Sequence, residues 1–292
     1  MRHIKAYLQL MRIPQWAKNV LVLAPVFFDH GFSRAGALWH ALLAMAAFCL
    51  AASAVYCLND VVDRRADASH PVKCRRPVAS GTVSMASALV LMAVLAIAAI
   101  AMALLTGAES ATLLVAYLLL NVAYSLVLKR IALLDVLVVA LFYVSRIWCG
   151  SLASGVTPTA WILVMTYLLA LFLAFAKRRD DVAISDTKGN TSVRPAVGAY
   201  NLDFVNMGLT LIATVTVAAY IMYAISPEVT SRFDNQFVVV TALPVLAGVL
   251  RYMQLTMVES RSGSPTAVLF HDRAVQLCIV IWLALWVAII YC

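Results

Sequence analysis

The stretch Ala86-Ser-Ala-Leu-Val-Leu-Met-Ala-Val-Leu-Ala-Ile-Ala-Ala-Ile-Ala-Met-Ala-Leu-Leu105 runs for 20 residues without a charge. As an α-helix it would be about 30 Å long, the thickness of the hydrocarbon core of a bilayer. A transmembrane β-barrel predicts short segments of alternating polarity instead. The stretch therefore decides for a helix bundle in lipid, where each span satisfies its own backbone hydrogen bonds. The whole chain agrees: its 292 residues are 64% hydrophobic and 12% charged, with mean hydropathy +0.92. No soluble domain needs that much apolar surface.

Outward from that stretch, apolar segments fall at about 19–29, 38–58, 83–106, 110–128, 132–152, 159–176, 204–225, 236–253 and 274–291. They predict an all-α, polytopic bundle of nine transmembrane helices in a single domain over residues 1–292. Lys18 and Pro25 interrupt the first span. No cleavable signal peptide is expected, because Arg12, Pro14 and Lys18 break the amino-terminal region. An odd number of spans puts the termini on opposite faces. Nineteen of the 22 Lys and Arg fall in the amino-terminal segment and the even-numbered connections; only Arg34 and Arg232 lie opposite, with Arg146 inside a span. By the positive-inside rule that basic face, with the amino terminus, is cytoplasmic, and the membrane is the inner or plasma membrane. Ten of the 14 acids lie on the same face. Topology signalling needs cations alone, so the mixture suggests a polar cavity open to the cytoplasm. The six cysteines form no CxxC or Cys/His ligand pattern, and most are read as small buried hydrophobes.

The second span ends in Asn59-Asp-Val-Val-Asp63-Arg-Arg-Ala-Asp67-Ala-Ser-His-Pro-Val-Lys73-Cys-Arg-Arg-Pro77. Carboxylates this close to a membrane are costly unpaired and usually mark function. On a helix, positions 59, 63 and 67 step by four and line one face, with Asp60 three residues before Asp63. Oxygen ligands on one stripe suit Mg2+, which keeps waters and is completed by substrate phosphates. Asn59, Asp60, Asp63 and Asp67 are thus the metal candidates. Lys73 and Arg76, just downstream, suit phosphate oxygens. The plainer reading is a solvated helix end with local pairs to Arg64 and Arg65.

The pattern Asn59-Asp60-x-x-Asp63-x-x-x-Asp67 resembles the first aspartate-rich motif of the UbiA-type intramembrane prenyltransferase superfamily at every defined position. Further segments resemble its decaprenyl-phosphate phosphoribosyltransferase branch. They are Arg12-Ile-Pro-Gln-Trp-Ala-Lys18-Asn19 through Pro25, Ala51 through Gly81, Ala123-Tyr124 with Lys129, Tyr143-x-x-Arg146, Lys177-Arg178 and Leu269-x-x-Asp272-Arg273. The resemblance implies a nine-helix fold around a cytoplasm-facing cavity. It also implies transfer of the phosphoribosyl group from phosphoribosyl diphosphate to a polyprenyl phosphate lipid, with Mg2+ as cofactor. Aromatic prenyltransferases of the superfamily carry a second acidic motif in the sixth connection. Here Lys177-Arg178-Arg179-Asp180-Asp181 stands there, with Asp186 beyond. Cations at that wall fit a substrate carrying an extra phosphate, although the three acids could form a degenerate second motif.

On this reading Asp63, Asp67, Lys18 and Lys129 are the catalytic candidates. Asn19, Lys73, Arg76, Tyr124, Tyr143, Arg146, Lys177 and Arg178 are the substrate-binding candidates, with His70, Asp272 and Arg273 behind them. Each has a plainer role open to it: Lys18 as a snorkelling lysine, Tyr124 as an interfacial aromatic, and Lys177 and Arg178 as topology anchors. Arg146 is expected to meet either Asp135 or a phosphate, since a lone guanidinium in lipid is expensive. Gly150 and Gly155 are read as packing residues. The alternatives are an aromatic prenyltransferase using a polyprenyl diphosphate and, more remotely, a transporter of phosphorylated metabolites. Charges crowded on one face speak against the transporter. No nucleic-acid partner is expected, and the oligomeric state is left open.

Overall fold

The computed structural model describes residues 2–29, 35–69, 72–187, 198–233, 236–259 and 265–291. Among them every regular element is helical. Eight helices are long and apolar enough to cross a membrane: Gly36–Val62, Met85–Leu104, Ala108–Leu126, Leu134–Ser154, Ala160–Ala183, Leu202–Ile225, Phe237–Met257 and Arg273–Ile290. They correspond to the last eight of the nine expected spans, and the chain is a multi-pass membrane protein.

The first expected span, 19–29, takes another form. After α1 (Arg2–Met11), residues Ile13–Leu23 form a 3-10 helix and α2 covers only Ala24–Phe28. Pro14 and Pro25 each stand in the first turn of their element. Proline suits that position and breaks a helix interior, so one continuous helix cannot run through Pro25. Two other spans outrun expectation. The helices α3 (Ala35–Val62) and α8 (Ala160–Thr187) have 28 residues each. At about 42 Å they exceed a hydrocarbon core of roughly 30 Å. Their charged ends, Asn59-Asp60 and Lys177 to Asp181, therefore stand on helix and not in loops.

Two compact units divide the chain: Met1–Val138 with Phe142–Pro158, and Thr159–Cys292 with Val139–Leu141. In the first, α3 packs chiefly on α5 (Met85–Leu104), and also on the 3-10 helix and α6 (Ala108–Leu126). Small residues make that approach possible: Ala47 and Ala51 of α3, and Ala99 and Ala103 of α5, are buried in one core with Phe48, Leu114, Tyr117 and Phe142. The helix α7 (Leu134–Ser154) meets the 3-10 helix at Gly150, where a β-carbon would lie 1.8 Å from the Val22 carbonyl oxygen. Only glycine permits that contact, so the expectation of a packing role holds there. The amphipathic α1 buries Ala6 and Leu10 against Ala54, Cys57, Val83 and Ala88.

The second unit pairs α8 with α9 (Leu202–Ile225), and α11 (Ala242–Met257) with α13 (Arg273–Tyr291). Its aromatic core carries one polar knot. The Tyr220 hydroxyl accepts from Trp282 Nε1 at 2.7 Å and Trp286 Nε1 at 3.1 Å, and shares a proton with Thr241 Oγ1 at 2.8 Å. In lipid such groups have no water to fall back on, so the knot fixes these helices together.

Candidate active site

The stripe begins inside α3 and crosses its end without losing register. The Asp63 amide donates to the Asn59 carbonyl at 2.9 Å and the Asp67 amide to the Asp63 carbonyl at 2.8 Å. The i to i+4 ladder thus runs on from α3 into α4 (Arg64–Ala68), although Asp63 itself is a turn. Asn59, Asp63 and Asp67 remain one above the other, as the spacing predicts.

Every side chain on the stripe is held by a partner. Ser125 of α6 donates to Asn59 Oδ1 at 2.5 Å, and its Oγ also lies 2.7 Å from the Asn121 carbonyl. One hydroxyl proton serves only one of them at a time. Lys129 Nζ, in the connection after α6, meets Asp63 Oδ1 at 2.5 Å. Arg76 Nη1 meets Asp67 Oδ2 at 2.6 Å, with Asp67 buried and Arg76 partly open. Asp60 is buried off the stripe, its Oδ1 2.5 Å from Arg12 Nη2 and 3.6 Å from Arg76 Nη1. Among the described residues no three His, Cys, Asp or Glu side chains converge on one point. The donor chemistry nevertheless fits a hard divalent ion: one amide and two carboxylate oxygens at successive helical turns.

Deeper in the same unit lies a second group of charges. Arg146 on α7 is 6% exposed. Its Nε donates to Asn19 Oδ1 at 2.8 Å, and its Nη1 to the Phe142 carbonyl. The guanidinium carbon stands 5.0 Å from the Phe48 ring centroid, 5.2 Å from that of Tyr143 and 5.9 Å from that of Tyr117. Ring faces attract a cation but do not neutralise it. Of the two partners expected for Arg146, Asp135 is not among those it bonds. Lys18, half-buried on the 3-10 helix, feels both Arg146 and Arg12; burial first, then these two cations, lower its ammonium to about 8. Among the described residues neither Lys18 nor Arg146 meets a carboxylate. Tyr124 Oη donates to the Asp135 backbone carbonyl at 3.3 Å, tying α6 to the start of α7.

The charge run on α8 belongs to the second unit and is largely engaged in packing. Arg178 is buried, its Nη1 2.9 Å from Asp181 Oδ2. Arg179 donates to Asn206 Oδ1 at 3.3 Å and to the carbonyls of Thr256 and Met257 at 2.5 and 3.2 Å. It thereby caps the carboxyl end of α11, where cations are favoured. Lys177 precedes it, half-buried. Asp272 takes Arg251 Nη2 at 2.7 Å and caps α13 through the Val275 amide at 2.9 Å. The Arg251 hydrogen bond holds its carboxyl below the usual carboxylate range. His70, Lys188, Arg194, Asp234 and Arg261 lie outside the described residues, as does the Asp186 side chain.

The structure therefore gathers Asn59, Asp63, Asp67, Lys129 and Arg76 at one helix end, and Lys18, Asn19, Tyr143 and Arg146 within the same unit. Sequence reasoning missed two contributors, Arg12 and Ser125. Arg12 stands in the segment that carries the resemblance, but nothing in its spacing points to Asp60. Ser125 forms a polar i, i+4 pair with Asn121 in an otherwise apolar span, which was the available signal.

Residues 22–273 match the model of the UbiA prenyltransferase family. A decaprenyl-phosphate phosphoribosyltransferase of Mycolicibacterium smegmatis is 28% identical over 99% of this chain and 93% of its own length. One from Mycobacterium tuberculosis is 30% identical over 96% of this chain and 93% of its own length. Among solved structures, a UbiA homolog from Archaeoglobus fulgidus bound to GPP and Mg2+ superposes with a TM-score of 0.72. It is 19% identical, with 98% of this chain and all of that one covered.

Proposed function

Because this chain belongs to the UbiA prenyltransferase family, a family of integral-membrane transferases, we propose that it moves the 5-phosphoribosyl group from phosphoribosyl diphosphate to a polyprenyl phosphate. Diphosphate is released. The observation that carries this reading is the charge balance of the first unit. The motif acids already face Arg12, Arg76 and Lys129, while among the described residues Lys18 and Arg146 meet no carboxylate. A buried guanidinium lacking a counter-charge is expensive in a membrane. These two cations, set among buried groups, call for phosphate beyond the one diphosphate that the stripe would hold. Phosphoribosyl diphosphate and polyprenyl phosphate together bring that surplus.

Mg2+ would be held by Asn59, Asp63 and Asp67, and when bound it neutralises the diphosphate and improves it as a leaving group. Ser125 frees Asn59 Oδ1 by giving its proton to the Asn121 carbonyl. Lys129 and Arg76 turn from the carboxylates to the phosphate oxygens and supply fixed positive charge where negative charge accumulates. Lys73 adds to that field. Asn19 and Tyr143 keep Arg146 in place, and Tyr124 holds the start of α7. A phosphate oxygen of the acceptor attacks C1 of the ribose; the C1–O bond to diphosphate breaks, and its electron pair leaves with the diphosphate. The acceptor is largely ionised at pH 7, with a second pKa of about 6, so no strong general base is needed. We take residues 1–292 as one domain, since the family match runs through both units. The basic face, with the site, is assigned to the cytoplasm by the distribution of Lys and Arg.

A second reading, prenyl transfer from a prenyl diphosphate to an aromatic acceptor, draws on the Archaeoglobus homolog bound to GPP and on Asp180 and Asp181 as a remnant second motif. The pairing of Arg178 with Asp181 weighs against it. Membranes containing the protein, incubated with labelled phosphoribosyl diphosphate, a polyprenyl phosphate and Mg2+, should form a lipid-linked ribose phosphate. Label that stays water-soluble, with an aromatic acceptor becoming prenylated instead, would decide for the second reading.

A further inference from the structure

Asp60 differs from the three stripe residues in what surrounds it. Its side chain is 2% exposed, against 36% for Asp63. Position 60 lies about 100° around the helix from position 59, off the stripe. Its Oδ1 is enclosed by two guanidiniums, Arg12 at 2.5 Å and Arg76 at 3.6 Å. A carboxylate so enclosed has no open side for a hydrated ion.

Arg12 shows the complementary feature. Its backbone is left-handed, φ 50° and ψ 49°, a region that residues with a β-carbon rarely adopt. Leu133 is the only other non-glycine residue with positive φ among those described. Such strain persists where surrounding contacts over-determine it, and it clusters at functional sites. Here the contacts are explicit. The Arg12 guanidinium lies 4.6 Å over the Tyr56 ring and bonds to Asp60, one turn further along the same face of α3. Ring and carboxylate hold it from two sides, yet the side chain stays 27% exposed. A guanidinium has five N–H donors, and Asp60 occupies only part of that set.

Resting on the metal-diphosphate reading of the stripe, we propose that Asp60 is a positioning residue and not a metal ligand. It holds the guanidiniums of Arg12 and Arg76 beside the stripe, and the remaining donors of Arg12 contact the phosphate oxygens of the donor substrate. Arg12 is thereby a substrate-binding residue.

The test uses the full-length protein in lipid nanodiscs, with Mn2+ binding followed by electron paramagnetic resonance and donor KM followed by transfer kinetics. Asp60→Asn should keep Mn2+ affinity within about twofold, whereas Asp63→Asn loses it. Both Asp60→Asn and Arg12→Ala should raise the KM for phosphoribosyl diphosphate at least about tenfold, as loss of a charged hydrogen bond does. The double variant should do little worse than either single one, because both break the same contact. Loss of Mn2+ affinity in Asp60→Asn comparable to that in Asp63→Asn overturns the proposal, and so does an unchanged KM in Arg12→Ala. If Asp60→Asn fails to fold, Arg12→Ala, altered at a partly open side chain, decides the matter alone. A wild type that uses only a prenyl diphosphate sinks the donor proposed above but not this inference, which is then read on the KM of that donor. A wild type that binds no Mn2+ sinks both.

Discussion

Replacing Gly150 by alanine adds one methyl group at the point where α7 touches the 3-10 helix. The new β-carbon would lie 1.8 Å from the Val22 carbonyl oxygen and 2.8 Å from its carbonyl carbon. These are backbone atoms, so no rotamer change relieves the overlap. Ordinary contact begins near 3.4 Å, and the 3-10 helix must therefore retreat by about 1.5 Å. Arg146 stands one turn before Gly150, and Asn19 one 3-10 turn before Val22. The retreat would carry their 2.8 Å hydrogen bond out to roughly 4 Å, beyond bonding range. Helix propensity pulls the other way, since alanine gains about 1 kcal/mol over glycine in a helix interior. Overpacking typically costs about 1–3 kcal/mol, and a buried charged donor that loses its acceptor adds at least about 1–3 kcal/mol more. The clash wins.

Two readouts follow for Gly150→Ala. Thermal unfolding in detergent should fall by several degrees, at roughly 2–4 °C per kcal/mol for a chain of this size. Transfer activity should fall about a hundredfold, the usual consequence of a displacement near 1 Å among positioned groups. Gly155→Ala is the control, because nothing lies within 4 Å of its added carbon. Its φ of +71° predicts a modest loss of stability without loss of turnover in the molecules that fold. Wild-type stability together with wild-type turnover in Gly150→Ala would refute the coupling of Gly150 to Arg146.

Lys129 competes with the divalent ion for Asp63. Lys129→Met should tighten Mn2+ binding by roughly twofold to fivefold, the scale of a part-exposed ion pair, while turnover drops; weaker Mn2+ binding would contradict the proposed exchange of partners. For Lys18 the sign runs as linkage requires. Its folded value is about 8 against an ordinary 10.5, so within that window the folded chain has released a proton the unfolded chain keeps. Stability therefore rises as pH climbs from about 8 to 10.5, and Lys18→Met should flatten that rise in melting temperature; an unchanged slope would mean that Lys18 is not in the environment described. Tyr220→Phe strips the acceptor from two indole N–H groups and should cost about 1–3 kcal/mol of stability in thermal unfolding, with the KM for phosphoribosyl diphosphate unmoved; wild-type stability would refute the role of the knot.

Periodicity made the membrane helices legible, because length and apolarity alone settle them in lipid. It overstated the segment around Pro25, where hydropathy sees an apolar run and backbone chemistry sees a break. It also ended α3 and α8 too soon, since charged residues end an apolar run without ending a helix. The stripe of Asn59, Asp63 and Asp67 was legible for the opposite reason: its spacing is a property of one helix and survives the turn at Asp63. What spacing cannot show is which cation faces which acid, for the partners are distant in sequence. Arg12 lies 48 residues from Asp60, Lys129 lies 66 from Asp63, and Asn19 lies 127 from Arg146.

Those long-range pairs divide the cations by what they do in the resting protein. Arg12, Arg76 and Lys129 neutralise acids, and the fold gives them a reason to be there before any substrate arrives. Arg178 and Arg179 are spent on Asp181 and on the carbonyls that end α11, so a basic run that looked like a phosphate wall is in large part a helix clamp. Among the described residues, Lys18 and Arg146 have neither excuse. Arg146 is buried among rings with one amide and one carbonyl oxygen as acceptors, and Lys18 is repelled by it. An arrangement that is electrostatically unfavourable alone, and is held in place by a glycine contact that admits no side chain, is stabilised by whatever anion completes it. Among the described residues, the positive charge of Lys18 and Arg146 is what most supports the phosphate-rich substrates we propose.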